Sequence, residues 1–131
     1  MNLARIVVFL FLSLNSTARA AEYPSDAKVQ LHGTLVQPTC RPEESGDEKA
    51  HKFYAIKLLE PVSLRCNRGE DECTPAKGQT VLQLALSGKQ GIALAKKLLG
   101  KNVTVIGSVF AQFSGHHFTK ILIDVKDIQA H

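Results

Sequence analysis

The sequence predicts a mainly β domain with one short helix: a five-stranded OB-fold-like barrel in the order β-β-β-α-β-β. Three observations predict it. Five apolar or alternating stretches are separated by polar breaks that carry Gly and Pro. One helical stretch falls between the third and fourth of them. Two of the strands carry a central glycine, Gly33 and Gly107, which suits a sheet that must bend to close. Other small barrels and an α+β sheet share parts of this pattern; the element order favours the barrel.

In residues 27–37, Val29, Leu31, Gly33 and Leu35 alternate with Gln30, His32 and Thr34, the period of a half-buried strand. Residues 38–51 are polar and broken by two prolines and a glycine, which predicts a mobile loop. Residues 52–64 read as the second strand, with Pro61 placing its far end at an edge or leaving the sheet. A second loop, 65–79, carries the acidic run Glu70, Asp71 and Glu72. Residues 80–86 form the third strand. Ser87 then stands where it can cap a helix over 89–99, which turns Ile92, Ala95 and Leu99 to one face and stops at Gly100. Residues 102–114 are a long fourth strand, 115–119 a turn, and 120–128 the fifth strand.

Ahead of this domain, residues 1–20 have the grammar of a secretory signal peptide. A charged start at Arg5 precedes the apolar run Ile6 to Leu14 and the small-x-small end Ala18-Arg19-Ala20. The run is too short for a membrane-spanning helix, which takes ~20 residues. Cleavage after Ala20 leaves a single domain over 21–131, with no cysteine at its start to receive a lipid. Lys plus Arg falls from 16 to 14 as Arg5 and Arg19 leave, while Asp plus Glu stays at 12, so the formal charge drops from +4 to about +2. A balance this even does not point to nucleic acid, which calls for a clustered basic face. The expectation is an exported protein without membrane insertion.

An oxidising compartment favours disulfides, and three cysteines remain: Cys40, Cys66 and Cys73. If the first two strands form a hairpin, Cys40 sits at its turn and Cys66 beyond its open end. A hairpin of ~10 residues separates them by ~33 Å, far above the ~7 Å limit for a bond. Cys73 follows in the same loop as Cys66, so Cys66–Cys73 is the expected pair and Cys40 is left free or shared with another chain.

Several stretches resemble a known family: V-Q-L-H-G-T-L from Val29, residues 54–61, G-K-N-V-T-V-I-G from Gly100, and G-H-H-F-T from Gly115. They are similar to a family of small exported bacterial domains catalogued as a domain of unknown function, marked by a Gly-His-His-His-Thr turn near the C-terminus. The likeness covers most of residues 21–131 and is strongest over 100–128. Phe118 stands where that turn has its third histidine. The resemblance implies a bacterial, periplasmic protein and no particular activity.

No catalytic set stands out. Cys40 lacks a base at a fixed spacing. Ser114 has glycine on one side only, so it makes no nucleophile elbow. Glu43 with Glu60 can be proposed as a glycosidase pair, but loop carboxylates usually serve solvation. The acidic run lacks a calcium-loop pattern. Asn102-Val103-Thr104 is a glycosylation sequon without meaning in a bacterium. His116 and His117 are imidazole ligands in type, yet adjacent residues in an extended stretch face opposite ways, and His32, His51, His131, Asp124 and Cys40 offer no metal-site spacing. The bland reading has one histidine fixing the turn and the other solvated.

These residues predict a non-enzymatic binding module with no cofactor. Its partner is a protein, such as an envelope- or cell-wall-directed toxin or enzyme, bound in the manner of an inhibitor or immunity protein. The candidate contacts are His116, His117, Phe118 and His51, on the two loops that flank the binding face of an OB-type barrel. The alternative expectation is a periplasmic metal-binding or metal-sensing protein that uses His116 and His117.

Overall fold

The computed structural model describes residues 21–46 and 48–131. The signal-peptide reading of residues 1–20 lies outside the described residues. Strands β1 (Ala21–Pro24), β2 (Lys28–Val36), β3 (Thr39–Cys40), β4 (His51–Lys52), β5 (Ala55–Arg65), β6 (Ala76–Ala85), β7 (Asn102–Ala111) and β8 (Ile121–Ala130) alternate with two helices, α1 (Pro42–Ser45) and α2 (Gly88–Leu98).

Five strands close a barrel. β2 pairs antiparallel with β5 and with β7, β5 with β6, and β7 with β8. The circuit is completed by β6 and β8 running parallel. Numbered as barrel strands one to five, β2, β5, β6, β7 and β8 follow the circuit one-two-three-five-four, with α2 between the third and fourth, as the sequence predicts for an OB-type barrel.

The alternation of the first strand is seen in its burial: Val29, Leu31 and Leu35 face the core and Gln30 and His32 face out. Leu35, Ile56, Leu82, Val103, Val105, Ile121 and Ile123 fill the interior at 0–1% exposure. Fully burying an aliphatic side chain is worth about 1.5–3 kcal/mol, so this interior is what holds the sheet shut.

The two glycines act where the barrel bends. Gly33 lies under the Lys57 carbonyl and Gly107 under the Asp124 carbonyl, each so close that a Cβ would overlap the oxygen. Gly107 also sits at a register shift, where Ile106 faces Asp127 and Gly107 faces Val125. Pro61 falls within β5 rather than ending it. It occupies the gap between the ladder to β2, which ends at Leu58, and the ladder to β1, which starts at Val62. A residue with no N–H fits there because no partner carbonyl is opposite.

Several expectations are corrected. Ser87 is at the N-cap of α2 but makes no side-chain cap bond. The helix buries Ala95 and Leu98, while Ile92 and Leu99 are exposed, so its packed face is rotated from the one expected. The 38–51 loop is not featureless: β3 and β4 form a two-residue ladder, Thr39 with Lys52 and Cys40 with His51, around α1. β6 begins four residues before the expected third strand, and β1 is an additional strand parallel to β5.

The expected disulfide is present between Cys66 and Cys73, with Cα atoms 5.8 Å apart, and Cys40 is a buried free thiol. Such a bond is characteristic of an oxidising compartment. The disulfide loop also holds β1 down. Glu70 accepts from the Ser25 hydroxyl at 2.9 Å and from the Asn67 N–H at 2.9 Å, and Asn67 Nδ2 donates to the Ser25 carbonyl at 3.0 Å. Glu70, though exposed, is therefore also a structural clamp. Among the described residues no helix is long and apolar enough to cross a membrane.

Candidate functional site

The loop between β2 and β5 and the turn between β7 and β8 meet over the start of β5. The His51 ring stacks on Phe118, centroids 5.6 Å apart and planes 19° from parallel. Phe53 packs on the other part of the same ring at 5.2 Å. Offset aromatic contacts at these separations are favourable beyond their buried area. Beside them opens a cleft of 150 Å³, lined from one loop by Cys40 and Glu44 and from the other by Gln112, Ser114, Gly115, His117 and Phe118.

The turn is held from below by Gln83, an outward-facing residue of β6. Its Nε2 donates to the His116 carbonyl at 3.0 Å and its Oε1 accepts from the Phe118 N–H at 2.6 Å. Its own N–H donates to Thr119 Oγ1 at 2.9 Å, and that hydroxyl donates to the Ile121 carbonyl. Gln112 closes the turn from the other side, donating to the His117 carbonyl at 2.6 Å. Each turn backbone group so engaged has its orientation fixed.

The two histidines have different situations. His116 is exposed. His117 packs edge-on against Phe113 at 4.5 Å and against Phe110 at 5.5 Å, and its Nδ1 accepts the Phe113 N–H at 3.1 Å. It is the histidine that fixes the turn. Phe113 stays exposed on its far side. Of the predicted site residues, the fold thus brings His117 and Phe118 to one cleft, with His51 stacked on Phe118 beside it and His116 on the same turn facing solvent. Sequence reasoning missed Gln83, Gln112, Phe53 and Thr119. The one available signal was Gln83 itself, a polar residue between Leu82 and Leu84 in an apolar strand.

Burial, and secondarily the charge of His116, lowers the pKa of His117 below its ordinary 6.5. A histidine whose folded pKa is depressed binds its proton more readily in the unfolded chain, so stability is full above pH 6.5 and falls as the pH drops through the folded value. Protonation also removes the Nδ1 acceptor from the Phe113 N–H. The expected result is a turn that loosens as the pH falls below 6.5 and passes through the lowered folded value, seen by NMR as a pH-dependent shift of the Phe113 amide. His117→Gln is expected to abolish that titration; an unchanged Phe113 profile in this variant contradicts the assignment.

Residues 81–129 are similar to the family described as Domain of unknown function (DUF4431). The matched stretch runs from β6 through α2 and β7 into β8. It contains the turn and its Gln83 anchor, and excludes His51 and the 38–51 loop. This agrees with the resemblance noted in the sequence to a domain family of unknown function. No curated protein and no solved structure matches the chain.

Proposed function

We propose that this protein is an exported, periplasmic binding module that captures a protein partner at the rim formed by the 38–51 loop and the 112–119 turn, without catalysing a reaction. The observation that carries the reading is the His51–Phe118 stack, which joins the two loops that flank the binding face in OB-type barrels. Aromatic anchors set in fixed loops are the usual energetic centre of protein interfaces. The cleft beside the stack, at 150 Å³, is below the ~300–1,000 Å³ of small-molecule pockets, so it suits a side chain of a larger partner better than an enclosed metabolite. The Cys66–Cys73 bond supports an oxidising destination. An inhibitor or immunity role toward an envelope- or cell-wall-directed toxin or enzyme is the concrete form of this reading. The alternative of a metal held by His116 and His117 is less favoured, because His117 Nδ1 is already committed to the Phe113 N–H.

The test compares capture from an envelope extract by the wild type, by Phe118→Ala and by a variant with a shortened 38–51 loop. Circular dichroism verifies folding. Each change is expected to weaken capture by more than about 1 kcal/mol. Equal capture of the same proteins by all three, with folding intact, removes the rim as the site.

A further inference from the structure

Away from the rim, the fold brings together two histidines that are 99 residues apart. His32 lies on β2 directly opposite Thr104 on β7, and β8 runs along the other side of β7. The His131 N–H donates to the Asn102 carbonyl at 3.0 Å, which continues that ladder and fixes where its ring stands. The result is a triangle of polar atoms. His32 Nδ1 is 2.8 Å from Thr104 Oγ1, His131 Nε2 is 2.8 Å from the same oxygen, and the two ring nitrogens are 3.1 Å apart. Thr104 faces outward, between the core residues Val103 and Val105, yet it is only 4% exposed. The two imidazoles are what cover it.

We infer that His32 and His131 form a binding site for one divalent transition-metal ion of the copper, nickel and zinc class, with the Thr104 hydroxyl as a supporting oxygen. Imidazole nitrogen is a favoured ligand for this class. With metal–nitrogen bonds of about 2.0–2.1 Å, a nitrogen separation of 3.1 Å corresponds to an N–metal–N angle of roughly 100°. That lies between the square-planar and tetrahedral values that these ions adopt. Without metal the three groups satisfy one another, one ring N–H donating to Thr104 Oγ1 and the Thr104 hydroxyl donating to the other ring nitrogen. Metal binding needs only a change of tautomer that presents both ring lone pairs to the same point. The 3.1 Å separation then lets one ion bridge both nitrogens.

The surroundings leave room for the rest of the coordination sphere. His32 and His131 are both solvent-exposed and border a hollow of 230 Å³ with Gly33, Thr34, Leu59 and Asn102. Two protein nitrogens leave two or more positions for water or for a donor from another molecule. Affinity among divalent ions at such a site follows the order that peaks at copper. The inference is independent of the rim and of its partner.

The test titrates Cu²⁺ and Zn²⁺ alone, by calorimetry, into protein prepared without a histidine tag. One saturable ion per chain is expected, with copper tighter than zinc. His32→Ala and His131→Ala are each expected to weaken binding about tenfold or more, and His116→Ala to leave it unchanged. His32→Gln keeps a hydrogen-bonding group over Thr104 while removing the imidazole, and covers the case in which the alanine variant folds poorly. Copper paramagnetic resonance should report two coupled nitrogens in the wild type and one in either single variant. Absence of saturable binding, survival of the copper signal in His32→Gln/His131→Ala, or loss of binding in His116→Ala each overturns the site.

Discussion

Gly107→Val is expected to destabilise the barrel by more than about 3 kcal/mol, and Gly33→Val to do the same. At both positions a Cβ overlaps a backbone carbonyl of the neighbouring strand, Asp124 for Gly107 and Lys57 for Gly33, and touches an isoleucine stem at 3.0 Å. A backbone carbonyl cannot rotate away as a side chain does. Relief therefore means parting β7 from β8 or β2 from β5, which gives up ladder hydrogen bonds and core contact together. A small domain has roughly 5–15 kcal/mol in hand, so the loss takes a large share of it. Urea denaturation gives the measurement, and Gly115→Ala is the control, because nothing lies within 4 Å of its added Cβ. The control should match wild type. If Gly107→Val unfolds at the wild-type midpoint, the close approach of strands at the bend is wrong.

Loss of the Cys66–Cys73 bond is expected to cost about 2–3 kcal/mol, the lower part of the usual range because the closed loop is short. The effect reaches past the loop. Glu70, inside it, holds both Ser25 and Asn67, so opening the loop loosens the attachment of β1 to β5. Cys66→Ser/Cys73→Ser should therefore show a lower denaturation midpoint and faster amide exchange at residues 21–25 together. Cys40, at 6% exposure, should resist alkylation in the native state of both proteins and react once they are unfolded. An unchanged midpoint with unchanged exchange at 21–25 contradicts the clamp.

What the sequence made legible was whatever repeats locally. The alternation from Val29 to Leu35 gave the core face of β2, the interior glycines gave the bends, and hairpin geometry alone separated Cys40 from Cys66. The misses have physical reasons. β1 is four residues long, with its first two residues exposed and its last two half-buried, so it has no alternation to read. In α2 two apolar stripes compete within one turn, and docking on the barrel buried Leu98 in place of Leu99 and left Ile92 out. The start of β6 is disguised by Lys77 and Gly78, whose N–H donates to the Ser63 hydroxyl. At the rim, Phe118 and the histidines were readable as residue types in a turn, whereas Gln83, which anchors them, acts from 35 residues away through tertiary contact. The His32–His131 pair depends wholly on strand register across β2, β7 and β8, which no spacing in the chain encodes.

The parallel seam between β6 and β8 has only three register pairs, from Gln83 with Leu122 to Ala85 with Asp124, against nine between β7 and β8. It joins strands separated by α2 and β7, so its closure carries a loop entropy that a hairpin does not. Gln83 belongs both to this seam and to the anchor of the turn that carries Phe118. The turn is in effect a latch across this short seam. A partner bound at the rim, as proposed above, would grip the latch as well, and its binding energy would then oppose opening of the seam.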